Sequence, residues 1–167
     1  MKLGLCLAGG GVKGAAHIGA LKALEENKIK IDYIGGTSSG SIVASLYACG
    51  FTADEIYKIF KKYCKKIKYV DFVNIIKLIL GVIFTRKIII DGLNSGRQIE
   101  NLIKKECDKK SIYNITDIKV PLVIPTVDMC NGELKCFTSC KFRKDFSDNI
   151  VFINDIEKGK AVRASCS

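Results

Sequence analysis

With 167 residues, 48% of them hydrophobic and only two prolines, the chain is one domain long and apolar enough to form a core, which excludes a disordered or proline-rich linker. No repeat at a period of roughly 20 to 50 residues is visible, which excludes a solenoid. Lys and Arg number 27 against 17 Asp and Glu, a net charge of +10; because no basic stretch is interleaved with aromatics, this favours a solvated surface or an anionic lipid interface over nucleic acid.

Residues 3–7 read as a short apolar strand suited to the middle of a parallel sheet. No secretory signal precedes it, so a cytoplasmic protein with reduced thiols is expected despite the eight cysteines. Cys130, Cys136 and Cys140 match no zinc-ligand spacing and have no nearby histidine, so no metal is expected there. Glycines follow at 9, 10, 11 and 14, and residues 14–27 turn helical, with Ile18, Leu21 and Leu24 on one face. A second strand is expected over residues 29–34, then a tight turn, then a helix of small and apolar residues over 41–48. That helix is apolar on most sides and belongs in the middle of the molecule. Strand, glycine turn, helix, strand, tight turn and buried helix together imply an α/β fold with a parallel sheet.

Thr52-Ala53-Asp54-Glu55 forms a capping box that opens a helix with Ile56, Ile59, Phe60, Tyr63 and Ile67 on one face and lysines elsewhere. The apolar stretch 72–90 is interrupted by Lys77, Arg86 and Lys87. Its uncharged part falls short of the ~20 residues that span a bilayer, and residues 72–84 suit a cap, an interfacial segment or, equally, a buried helix of the core. Ser95 to Gln98 form another capping box, ahead of Ile99, Leu102 and Ile103. Residues 120–127 and 133–138 read as a hairpin about a turn at 128–132, and Asn154 with Asp155 opens a final helix to about residue 164.

Gly36-Thr37-Ser38-Ser39-Gly40 satisfies G-x-S-x-G. This spacing suits a sharp strand-to-helix turn, in which a strained serine projects its hydroxyl and the glycines let neighbouring chain pass close. At a helix N-terminus the dipole favours a developing anion. Gly9, Gly10 and Gly11 can bring several backbone N–H groups to one point, as an oxyanion hole requires. Gly14 lets the first helix approach the sheet, and Lys13 adds a positive charge beside the loop. His17, the one histidine, precedes Ser38, so the Ser, acid, His order of α/β-hydrolases is impossible within these residues. His17 is expected to be structural, and the base for Ser38 must then be a carboxylate or a lysine.

Gly9-Gly10-Gly11-Val12-Lys13-Gly14, continuing through Ala16-His17-Ile18-Gly19-Ala20-Leu21, and then Gly36-Thr37-Ser38-Ser39-Gly40-Ser41, resemble the bacterial patatin-like phospholipase family, which is similar to the catalytic domain of cytosolic phospholipase A2. The resemblance implies a three-layer α/β/α fold and hydrolysis of acyl esters of phospholipids or other lipids by a Ser-Asp dyad, with no cofactor and no metal. Residue by residue, it makes Ser38 the nucleophile, Gly9, Gly10 and Gly11 the oxyanion loop, and Lys13, Gly14, Gly36 and Gly40 its support. Asp128 falls in the family's central hairpin and looks structural. Ala8 stands where many members carry Asp. Residues 161–167 resemble the stretch before an Ile-Pro turn, and the catalytic Asp of the Asp-Gly-Gly or Asp-Gly-Ala motif is expected beyond Ser167. On that reading residues 1–167 are an incomplete patatin-like domain, expected to be inactive alone. Asp91-Gly92 is the only Asp-Gly pair and lies in the wrong half of the chain.

Two rival readings exist. Gly9, Gly11 and Gly14 also fit a dinucleotide fingerprint, with Asp32 as the ribose acid, but this leaves the Ser38 turn unexplained. A non-enzymatic lipid- or membrane-binding module would instead use the lysine-rich helix from Thr52 and the apolar stretch after it.

Overall fold

The computed structural model of the protein describes residues 2–64, 96–140 and 150–166. Among these residues one five-stranded sheet runs in the order β1 (Gly4–Leu7), β2 (Tyr33–Gly36), β3 (Leu122–Val127), β4 (Leu134–Thr138) and β5 (Ile150–Ile153). The pairs β1–β2, β2–β3 and β4–β5 are parallel, and β3–β4 is antiparallel. The reversal is a hairpin whose turn is closed by Asp128 N–H donating to Glu133 O at 2.9 Å, with Gly132 in a left-handed conformation at φ 74°. This is the α/β arrangement with a mainly parallel sheet that the sequence implies.

Among the described residues five helices accompany the sheet: α1 (Ala15–Glu26), α2 (Ser39–Ala48), α3 (Ala53–Cys64), α4 (Arg97–Asp108) and α5 (Lys158–Cys166). Helix α2 is central, touching β1, β2 and β3 and each of the other four helices. Its sequence has no charge, and nine of its ten residues are buried, so it can be enclosed on all sides as expected. Leu7, Ile34, Leu122 and Ile124 of the strands join Val43 and Leu46 of α2, Ile56 of α3, Ile103 of α4 and Val162 of α5 in one core. The expected cap on α3 is present: Thr52 N–H donates to Glu55 Oε2 at 2.8 Å, and Glu55 N–H to Thr52 Oγ1 at 3.3 Å.

Some boundaries differ from the sequence reading. Strand β2 begins at Tyr33, four residues later than residue 29, because pairing with β1 sets its register: Gly4 faces Tyr33 and Leu7 faces Gly36. Asp32 lies just before the strand, where its carboxylate accepts Leu3 N–H at 2.9 Å and so ties the two strands together. Helix α4 begins at Arg97 behind an N-cap Gly96 at φ 64°; Ser95 lies outside the described residues. Strand β5 is an element the sequence reading lacked, and α5 begins at Lys158 instead of near Asp155. Ile67, the segment 72–84 and Asp91-Gly92 lie outside the described residues.

Candidate active site

The C-terminal ends of β1 and β2 lie side by side, and the turn after β2 begins with Thr37 N–H donating to Leu7 O at 3.0 Å. Ser38 then adopts φ 52° and ψ −123°, a conformation that costs an L-residue roughly 1–3 kcal/mol. The chain enters α2 at once, with Gly40 N–H donating to Thr37 O and Ser41 N–H to Ser38 O, both at 2.9 Å. The Ser41 hydroxyl also donates to Ser38 O at 2.6 Å. So tight a turn needs its two glycines. A Cβ at position 36 would lie 2.4 Å from Gly40 O, and one at position 40 would lie 2.3 Å from Leu7 O.

The glycine loop after β1 lies against this turn. A Cβ at Gly9 would meet Ser38 Cβ at 3.2 Å and Ser38 Oγ at 4.0 Å. Beyond it the chain makes a 3-10 turn over Gly11–Gly14, with Lys13 N–H donating to Gly10 O at 3.1 Å and Gly11 at φ 56°. Gly14 is buried, and a Cβ there would lie 2.6 Å from Ser39 Oγ. The Lys13 side chain is exposed. His17, on the first turn of α1, donates from Nε2 to Ala8 O at 2.9 Å and so holds the start of the loop. Gly9 and Gly14 thus pack against residues 37–39, and Gly36 and Gly40 allow the close approach within the turn and to the end of β1, whereas Gly10 lies near Lys13 and nothing lies within 4 Å of a Cβ built at Gly11.

Asp128 is engaged in the hairpin: its Oδ1 accepts Cys130 N–H at 3.0 Å, and its Oδ2 pairs with the Lys135 ammonium. The hydrogen bond from Lys135 holds the Asp128 carboxyl below its ordinary range, with Cys130 N–H adding to the effect. Among the described residues no carboxylate is hydrogen-bonded to the Ser38 hydroxyl. The end of α5 supplies contacts that sequence reasoning missed. Ser38 N–H donates to Ser165 Oγ at 3.1 Å, the Ser165 hydroxyl donates to Pro125 O at 2.9 Å, and Cys166 Sγ lies 3.8 Å from Ser41 Oγ. Burial pushes the Cys166 thiol up, with Ser41 and Ser38 partly offsetting it. The only sequence signal for these residues was their place in the stretch 161–167.

The profile of the patatin-like phospholipase family matches residues 5–167, nearly the whole chain. The chain belongs to that family. Lysophospholipase NTE1 of Kluyveromyces lactis is 49% identical over 65 residues, which is 39% of this chain and 4% of that protein. Its counterpart in Mycosarcoma maydis is 58% identical over 48 residues, 29% of this chain and 2% of that protein. The patatin-like chain thus spans only a small part of the curated relatives it matches. Among solved structures, ExoU in its heterodimeric complex with SpcU, from the type III secretion system of Pseudomonas aeruginosa, superposes with a TM-score of 0.60 at 23% identity. That match covers 99% of this chain and 36% of ExoU. A crystal structure of the type III effector protein ExoU gives 0.58 at 18% identity, covering 99% of this chain and 40% of that chain. At these identities the two structures bear on the fold, which they share with this chain.

Proposed function

We propose that this patatin-like chain carries the nucleophile half of a lipid acyl hydrolase, with Ser38 as nucleophile and the loop of Gly9, Gly10 and Gly11 as its oxyanion hole. The observation that carries this reading is the contact between Gly9 and a serine held at φ 52° at the start of a buried helix. Ser38 Oγ attacks the acyl carbonyl carbon while its proton passes to a carboxylate. The oxyanion is stabilised by glycine-loop N–H groups, each worth about 3–4 kcal/mol in comparable enzymes. The carbonyl re-forms, the ester C–O bond breaks, and the carboxylic acid returns the proton to the leaving alcohol. Water then attacks the acyl-enzyme in the same way and frees the fatty acid and Ser38. The carboxylate is, by the family resemblance, an Asp outside these 167 residues, and residues 1–167 alone are inactive. No metal or cofactor takes part. The substrate class is a phospholipid or lysophospholipid, in line with the relatives' names.

In the full-length protein, Ser38→Ala is expected to abolish release of fatty acid from lysophospholipid vesicles, with the melting temperature preserved. Hydrolysis that survives Ser38→Ala would end the reading. Vesicle binding without turnover in the unaltered protein would favour a lipid-binding module instead.

A further inference from the structure

The ladder between β2 and β3 contains an inserted side chain. Ile34 N–H donates to Pro121 O at 2.9 Å, and the register sets Ile34 beside Leu122 and Gly35 beside Val123. In a parallel ladder the amides facing a neighbouring strand recur every second residue, as do the carbonyls they meet. Counting on from Ile34 and Pro121 by twos, through Gly36 and Val123, brings Ser38 opposite Pro125. Those two groups bond through Ser165: Ser38 N–H donates to its Oγ, and its hydroxyl donates to Pro125 O. A hydroxyl 127 residues from Ser38 in sequence thus stands where the next rung would be. Thr126 Oγ1 donates to Ala164 O at 2.9 Å and fixes the end of α5 against β3 at the same level. Pro125 has no N–H, so its carbonyl is its only backbone hydrogen-bonding group, and Ser165 satisfies it.

We propose that Ser165 is the positioning residue of the Ser38 turn, an inference that rests on the reading of Ser38 as nucleophile. A direct rung would draw Ser38 N–H onto Pro125 O and flatten the turn into the sheet. The inserted hydroxyl lengthens that span to two hydrogen bonds, which leaves Ser38 free to hold φ 52° with its side chain beside Gly9. Without the hydroxyl, a half-buried amide and a carbonyl lose their partner together and regain one by closing on each other. That closure carries Ser38 Oγ away from the glycine loop.

The test compares Ser165→Ala, Ser165→Thr and Ser38→Ala in the full-length protein, on a soluble short-chain ester. Ser165→Ala is expected to lower kcat by about ten- to a hundredfold with KM nearly unchanged, the scale of a misplaced reacting group, and Ser165→Thr, which keeps the hydroxyl, to recover most of it. The backbone amide of residue 38, followed by NMR in the inactive Ser38→Ala background, is expected to shift when Ser165→Ala is added and to stay when Ser165→Thr is added. If Ser165→Ala does not fold, Ser165→Val against the isosteric Ser165→Thr carries the same comparison. The proposal is overturned by a kcat within about twofold of wild type in Ser165→Ala, or by Ser165→Thr performing no better than Ser165→Ala. Residual activity in Ser38→Ala would strike at the nucleophile reading instead, while the amide shift would still decide the Ser165 contact.

Discussion

At the scale of single residues, space decides which glycines the fold requires. At Gly40 a Cβ would lie 2.3 Å from Leu7 O and 2.7 Å from Ala8 O, both backbone atoms that cannot move without parting α2 from β1. At Gly19, on the exposed side of α1, nothing lies within 4 Å of the corresponding point. Gly40→Ala is therefore expected to lose about 1–3 kcal/mol or more through overpacking, and Gly19→Ala to gain about 0.5–1 kcal/mol through helix propensity. Thermal unfolding of the two variants measures both signs, and equal effects would mean that the close approach at α2 does not constrain the fold. This steric demand is also why the G-x-S-x-G spacing and Gly14 were legible in the sequence: close contact leaves its mark as glycine, as the left-handed backbone does at Gly11. Ser165 left no comparable mark. A serine is common anywhere, and its partners become visible only when α5, β3 and the turn are brought together.

At the scale of elements, local signals served where they acted alone and failed where tertiary contacts overrode them. The capping box at Thr52 marked the start of α3 correctly because its hydrogen bonds lie within four residues. Asp155 looked like a helix start, yet α5 begins at Lys158, a cation placed against the helix dipole. What holds Lys158 there lies outside its own helix: its buried ammonium reaches Asp108 Oδ1 at 3.3 Å and the carbonyls of Ile112 and Tyr113, the last at 3.1 Å. Lys158→Met should free these carbonyls of their shared donor and cost about 1.5–3 kcal/mol in urea unfolding. No loss of stability would mean that the lysine is merely accommodated. Strand β5 was missed for a related reason, since four residues, Ile150–Ile153, carry too little pattern until β4 pairs with them. The α3 cap also gives a pH signature. Thr52 N–H holds the Glu55 carboxyl below its ordinary value of 4.5, with Lys110 contributing. The stabilisation is thus present above pH 4.5 and is lost as pH falls through the lower folded value. The gap in melting temperature between wild type and Glu55→Gln should be open at neutral pH and closed in acid. A gap that persists in acid would show that the charge on Glu55 plays no part.

At the scale of the whole molecule, the excess of positive charge meets the proposed lipid substrate. Lys58, Lys61 and Lys62 are exposed along α3, and the chain as a whole carries +10. No helix among the described residues is long and apolar enough to cross a membrane. Lysines near an anionic surface contribute about 1 kcal/mol each, an attraction that salt screens over a Debye length of about 8–10 Å at physiological strength. The full-length Ser38→Ala protein, which binds without turning over, is expected to float with vesicles rich in anionic phospholipid and much less with zwitterionic ones. Raising the salt should release it from the anionic vesicles. Replacing the three α3 lysines by glutamine should weaken flotation while leaving hydrolysis of a soluble ester by the Ser38-containing protein unchanged, because these side chains are exposed and none is hydrogen-bonded to the Ser38 turn. Equal binding to both vesicle types, unmoved by salt, would leave the positive charge without a part in lipid capture and would locate the lipid contact in apolar surface instead.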